Sequence, residues 1–283
     1  MFRISSLFVP EEEEDVMGLI AVDEQKCTQC GLCARACPAG IIIADEGFPR
    51  TVEKIEKGCI TCGHCVAVCP AAALNHCRMA PEECQPLAAG WRLEPARLEQ
   101  LIKGRRSIRR YRPDPVDRSV LEKLFEMVRY APTGGNSQSV RWLVFNDPEE
   151  IGRLSSIVVD WLRILLIQGV PGMKGMLKAW ELGNDPILRN APNLIIAYGA
   201  VDDQMARISS TIALTTLELA SPSFGLGACW AGFLHNAAQN YAEVYEFLDL
   251  PPGHQMCGGL MIGYPEFEYA RIPARKAATV TWR

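Results

Sequence analysis

From about Trp91 onward, apolar residues along the chain recur at two rhythms. RLEQLIKG (97–104) and SVLEKLFEMVRYA (119–131) place Leu98, Leu101 and Ile102, then Leu121, Leu124, Phe125 and Val128, at three- and four-residue steps. That spacing gathers them on one face of a helix. RWLVF, NLIIAYG, GLMIGY and ATVTW are short apolar runs bounded by Gly, Pro or Asn, and they predict buried strands. The longest helical candidate is DQMARISSTIALTTLELAS (203–221), which Pro222 should end or kink. Residues 157–185, rich in Trp, Leu, Met and Gly, predict a lid or a helical pair covering the core. Helices interleaved with a few strands predict an α+β sandwich.

The first 86 residues read differently. They carry a net charge of −6 and ten of the twelve cysteines, whereas the remainder nets +2. Such a break marks a domain boundary. The expected division is an extension over 1–16, a cysteine domain over 17–79, a Pro-bearing linker over 80–93 and a second domain over 94–283. The longest apolar run, WLRILLIQGV (161–170), is short and carries Arg163, so no membrane helix is expected. The N-terminal stretch lacks the features of a secretory signal, and a cytoplasmic location is expected.

Cys27, Cys30, Cys33 and Cys37-Pro38 repeat 32 positions later as Cys59, Cys62, Cys65 and Cys69-Pro70, both as C-x2-C-x2-C-x3-C-P. In such a run three thiolates on one tight loop reach the corners of one cubane, and the fourth, carried into a short helix, points at the other. Cys27, Cys30, Cys33 and Cys69 are therefore expected to hold one [4Fe-4S] cluster, and Cys59, Cys62, Cys65 and Cys37 the second. A disulfide framework suits a secreted chain, and structural zinc takes four ligands in pairs rather than two interlocked sets. From about Met17 to Asn75 the chain resembles bacterial two-cluster ferredoxins. Cys77 and Cys84 fall outside both runs and predict ordinary packing, with an extra ligand as the alternative. None of the histidines shows a ligand set, and His64 is expected to be exposed.

GRRSIRRYRP (104–113) follows the predicted end of a helix, and alternation sends Arg105, Ser107 and Arg109 to one side. Guanidinium forks and a hydroxyl suit a phosphate and ring carbonyls. A nucleic-acid patch is disfavoured by the acidic total and the lack of interleaved aromatics. No G-x-G-x-x-G, P-loop or H-E-x-x-H pattern is present.

With YAPTGGNSQ (130–138), GLGACW (225–230), GGLMIGYP and RIPARKAATVTW in the same order, the chain from about Leu98 to Trp282 resembles the nitroreductase family of FMN enzymes. The resemblance implies that Arg105, Arg106, Ser107 and Arg109 bind FMN, with Arg109 nearest the pyrimidine edge. It adds Arg275 and Lys276 to a phosphate clamp, with Arg271 as a candidate third member. It implies a homodimer with two shared sites, in which Pro132, Thr133, Asn136 and Gln138 reach the flavin held mainly by the other subunit and helix 203–221 joins the interface. It puts the backbone amides of Ala231 and Gly232 near flavin N5. Cys229 reads as a packing residue, and Arg110 and Arg112 as surface charges or ion-pair partners.

Together these readings predict an oxidoreductase passing electrons from two [4Fe-4S] clusters to FMN and on to a nitro, quinone or activated-alkene acceptor. The donor is expected to be a ferredoxin-like protein or NAD(P)H. The alternatives are an electron-transfer or redox-sensing module serving a protein partner, and NAD(P)H-driven flow outward through the clusters.

Overall fold

The computed structural model describes residues 18–45 and 47–283, so the expected extension over 1–16 lies outside the described residues. The chain divides into two compact units, Met1–Trp91 and Arg92–Arg283.

The first unit contains β1 (Ile20–Val22), α1 (Leu32–Ala36), β2 (Ile42–Ile43), β3 (Arg50–Thr51), α2 (His64–Ala67) and β4 (Leu74–His76). β1 pairs antiparallel with β4, and β2 with β3. The sequence repeat is repeated in the backbone: Gly31 and Gly63 precede α1 and α2 at φ 69° and 70°. Glycine enters this left-handed region without the steric cost other residues meet. The apolar core is small, built on Cys33, Ile41, Ile42, Val66 and Leu74.

The second unit runs α3 (Pro95–Gly104), α4 (Arg118–Val128), β5 (Arg141–Phe145), α5 (Pro148–Ile167), α6 (Met173–Glu181), β6 (Asn193–Ala200), α7 (Ala206–Ala220), β7 (Gly227–Trp230), α8 (Gly232–Asn240), α9 (Ala242–Leu248) and β8 (His254–Gly263). The strands form one antiparallel sheet in the order β5-β6-β8-β7. Along β6, Leu194 and Ile196 enter one core with α5, α6, α8 and α9, while Ile195 and Ala197 enter another with α4 and α7. A side-chain period of two on a central strand thus feeds both faces, which explains why the run is apolar throughout. The result is the expected α+β sandwich.

Three expectations need correction. The longest described helix is α5, with 20 residues against 15 for α7, because the Asp147 carboxylate caps its start by accepting from the Glu149 amide at 2.9 Å and Pro148 opens it. ATVTW (278–282) forms no strand and is exposed, Trp282 to 88%, since it adds to neither edge of the sheet within one chain. GLMIGY is only the end of β8, which begins at His254. Pro222 does end α7, in a short 3-10 turn over Ser221–Phe224. Residues 157–185 form the end of α5 and α6, with Val158, Trp161, Leu162 and Leu177 buried in the core. Their connecting tip exposes Ile167 to 87%.

Candidate functional site

In the first unit the two interlocked cysteine sets surround two separate cavities. Cys27, Cys30, Cys33 and Cys69 line one of about 350 Å³, counting its opening to solvent. Cys37, Cys59, Cys62 and Cys65 line the other, of about 390 Å³. Among the described residues no three His, Cys, Asp or Glu side chains converge on a single ion. Four thiolates spread around a cavity, too far apart for one ion, are the donor set of a polynuclear iron–sulfur group, so the residues fit it.

Backbone amides already point at the sulfurs. Gln29 N donates to Cys27 Sγ and Thr61 N to Cys59 Sγ, each at 3.4 Å, and Ala73 N donates to Cys69 Sγ at 3.3 Å. Gln29 and Thr61 reach this geometry at φ 54° and 51°. Such non-glycine left-handed residues cluster where a ligand must be grasped. Burial pushes the Cys33 thiol up, with Cys69 and Cys27 adding repulsion; burial likewise raises Cys65, with Cys62 and Cys37 adding to it. At Cys30 the Leu32 amide, then the Thr28 hydroxyl, lower the thiol. A bound metal supplies the positive charge that crowded thiolates require.

Sequence reasoning missed His76. It is buried, at the end of β4, and its Nε2 lies 3.4 Å from Cys59 Sγ. Burial, then the charge of Arg78, lowers its pKa. His64 is exposed, as expected. Cys84 packs on the small core and donates to Ala80 O at 3.6 Å, whereas Cys77 is exposed, because it sits at the corner of a hairpin closed by His76 and Met79.

In the second unit the arginine stretch is a strap across the end of the sheet. Ile108 N donates to Ala228 O at 3.0 Å, Arg112 N to Tyr264 O at 2.8 Å, and Glu266 N to Arg110 O at 3.1 Å. The Tyr111 hydroxyl donates to Ile108 O at 2.6 Å. Gly227 admits the strap: a Cβ there would stand 2.3 Å from Ile108 Cγ1 and 3.0 Å from Pro265 Cγ. Gly227→Ala should therefore push the strap off β7 and lower unfolding stability by about 1–3 kcal/mol, measurable by urea denaturation. An unchanged midpoint would mean that the strap is not held there.

Several of the strap's side chains have partners within the protein. Arg105 Nη1 is 2.9 Å from Glu218 Oε1, and Glu218 on α7 is buried, so one arm of this guanidinium is engaged by a carboxylate. Arg106 folds back on α3, donating to Gly104 O at 3.2 Å and to Lys103 O. Arg109 is exposed, its Nη1 3.4 Å from Ser107 O. Burial raises the Cys229 thiol pKa, opposed by the Arg109 charge and a hydrogen bond with Ser107, which suits a packing residue. Arg112 lies over the Tyr264 ring at 5.1 Å.

Arg189 is a further cation that sequence reasoning missed. It acts electrostatically on both Cys229 and Tyr111, at φ 60°. The turn before it is fixed by buried Asp185, whose carboxylate accepts from Ile187 N at 2.7 Å, Leu188 N at 3.0 Å and Ser155 Oγ at 2.9 Å. No motif marks Arg189; only the fold brings residue 189 within electrostatic reach of residues 111 and 229.

The PTGGNSQ loop is anchored to the start of α7. Gly134 N donates to Ser209 Oγ at 3.3 Å, Gln138 N to Thr133 Oγ1 at 3.0 Å, and Ser139 Oγ to Asp203 Oδ2 at 2.9 Å. Asn136 and Gln138 adopt φ 55° and 49°, and Pro132 is exposed. After β7, Ala231 N donates to Gly259 O at 2.9 Å, so that amide is engaged within the fold. Gly232 opens α8, where helix geometry leaves its amide without an intrahelical acceptor. Arg271, Arg275 and Lys276 lie exposed in the stretch after β8.

Comparison with known proteins accords with this two-part organisation. A family model described as 4Fe-4S dicluster domain matches residues 19–70, and one described as Nitroreductase family matches residues 102–264. The chain is 28% identical over 173 residues to an FMN reductase [NAD(P)H] of Bacillus subtilis, covering 59% of this chain and 66% of the relative, just under two thirds of its length. It is 28% identical over 184 residues to a 5,6-dimethylbenzimidazole synthase of Rhodospirillum rubrum, covering 61% and 83% respectively. A nitroreductase from Bacteroides fragilis, solved with bound FMN, has the same fold, with a TM-score of 0.54 at 22% identity, covering 65% of this chain and 97% of that one. The family match spans more than half of the chain: this protein belongs to the nitroreductase family and carries a 4Fe-4S ferredoxin-type domain on its N-terminal side.

Proposed function

We propose that this chain is an FMN-dependent oxidoreductase that carries two [4Fe-4S] clusters and reduces an electron-poor organic acceptor such as a nitro compound, a quinone or an activated alkene. The observation that carries the reading is the pair of four-cysteine cavities in a chain whose other unit has the nitroreductase sheet. When bound, the iron–sulfur groups supply single electrons and FMN couples them to two-electron reduction of the acceptor. The FMN reductase relative and the FMN-bound Bacteroides structure support FMN as the flavin.

Cys27, Cys30, Cys33 and Cys69 would hold one cluster, and Cys59, Cys62, Cys65 and Cys37 the other. Arg106, Ser107 and Arg109 from the strap, with Arg275 and Lys276, would bind FMN; Arg105 supports them by neutralising Glu218. A cation at Arg109 favours the negative charge that a flavin acquires on reduction. Ala231 positions the turn at the end of β7, and the Gly232 amide is the donor it offers. Pro132, Thr133, Asn136 and Gln138 complete the site across a homodimer, a reading supported by exposed Met205, Ile208 and Ile212 on and beside α7. The net charge of −6 over residues 1–86 suits docking of a basic electron-donor protein, with NAD(P)H as the other donor. No described helix is long and apolar enough to cross a membrane.

The test is anaerobic turnover with nitro, quinone and enone acceptors, driven in parallel by reduced ferredoxin and by NADH. Steady acceptor-dependent reoxidation supports the enzyme. Cofactor reduction without acceptor turnover would instead identify an electron carrier.

A further inference from the structure

The repeated sequence builds two cluster sites that are not equivalent. Of the described residues lining the two cavities, His76 is the one ionisable side chain besides cysteine, and it lines only the cavity of Cys37, Cys59, Cys62 and Cys65. The local backbone explains why. His76 N donates to Met79 O at 3.0 Å and Met79 N to His76 O at 2.9 Å, so residues 76–79 close a tight hairpin over this half. Met79 packs against Gly63, where a Cβ would stand 2.6 Å from its sulfur; at Gly31, the equivalent position in the other half, nothing lies within 4 Å.

The hydrogen bonds fix the tautomer. Arg78 N donates to His76 Nδ1 at 3.1 Å, so Nδ1 is an acceptor and the neutral ring carries its proton on Nε2. Nε2 is the nitrogen 3.4 Å from Cys59 Sγ. The imidazole therefore donates to a sulfur that also accepts from the Thr61 amide. Around this cavity Leu19, Ile20, Ile41, Ile42 and Ile60 give an apolar lining that disfavours added negative charge. A donor to the ligand sulfur offsets that penalty, because hydrogen bonds to sulfur are among the determinants of cluster potential.

We infer that His76 is a positioning residue for electron transfer: its Nε2–H bond to Cys59 raises the reduction potential of the cluster at Cys37, Cys59, Cys62 and Cys65 and leaves the other cluster untouched. This rests on the two-cluster reading above. The step is a one-electron reduction in which the electron comes from a low-potential donor, no covalent bond forms or breaks, and the added charge is shared by iron and the thiolate sulfurs. The bond makes two sites of identical cysteine spacing unequal acceptors.

The test is an anaerobic redox titration of the full-length protein with dithionite and mediators, followed by electron paramagnetic resonance, on wild type, His76→Leu and His76→Gln. Iron analysis comes first: a chain loaded only at the Cys27 site overturns both the two-cluster reading and this inference. With both sites loaded, His76→Leu should lower one potential so that the electron partition moves about tenfold or more toward the other cluster, 59 mV per tenfold for one electron. His76→Gln, which keeps an N–H donor, should recover part of the shift. Equal displacement of both potentials, or none, overturns the inference while the two-cluster reading stands. Should His76→Leu fail to load, the His64→Gln protein with His76 intact, labelled with ¹⁵N-histidine, decides the matter. A ¹⁵N hyperfine coupling in the reduced state is expected, and its absence contradicts the bond.

Discussion

Cys69→Ala should empty the site of Cys27, Cys30 and Cys33 and leave the site of Cys37, Cys59, Cys62 and Cys65 loaded. Cys69 lies in the second cysteine run, yet it lines the first cavity, and it contributes to the electrostatic penalty on Cys33 rather than on Cys65. Iron content should fall by about half, since each cubane holds four irons. Because the first unit has so small an apolar core, the loss should also lower its thermal midpoint sharply. Iron analysis, with electron paramagnetic resonance of the remaining cluster, reads the result. Loss confined to the site of Cys59, Cys62 and Cys65 would overturn the interlocked assignment.

Arg105→Ala should destabilise the second unit by about 3–5 kcal/mol, the scale expected when one partner of a buried ion pair is removed. Arg105 is partly exposed, which places the expected loss toward the lower figure. The cause is Glu218: with its 2.9 Å partner gone, a buried carboxylate on α7 is left without its charge complement. Glu218→Gln in the same background should recover much of the loss, because a neutral amide is cheaper to bury than a carboxylate. Chemical denaturation of the two variants separates this account from a purely flavin-binding role. Unchanged stability with reduced FMN retention would show that Arg105 serves the cofactor directly.

The grouping of the cysteines was legible because the four of each run lie within eleven residues and the spacing implies which sulfur crosses to the other group. The structure places the eight cysteines around two cavities as that spacing implies. The sheet was legible for a similar reason: β5, β6 and β8 are apolar runs long enough to fill both faces of a sandwich. ATVTW has the same composition but pairs with nothing in a single chain, and composition does not reveal an absent neighbour.

What the sequence hid are contacts between distant positions. Arg105 reads as a phosphate ligand, and nothing in its motif announces its ion pair with Glu218, 113 residues away. Arg189 joins the strap through a turn capped by Asp185. His76 reaches Cys59, 17 positions earlier, through β4 and a hairpin that no ligand spacing announces. The Ala231 amide reads as a flavin donor, yet the pairing of β7 with β8 continues to Gly259 and uses it.

The measurement that bears most directly on the whole account is the iron, sulfide and flavin content of one anaerobically purified preparation supplied with FMN. The account predicts about eight irons, about eight inorganic sulfides and about one FMN per chain, the content of two cubanes beside one flavin. A preparation with both clusters that retains no FMN would contradict the flavoenzyme reading. One with FMN and a single cluster would contradict the paired sites.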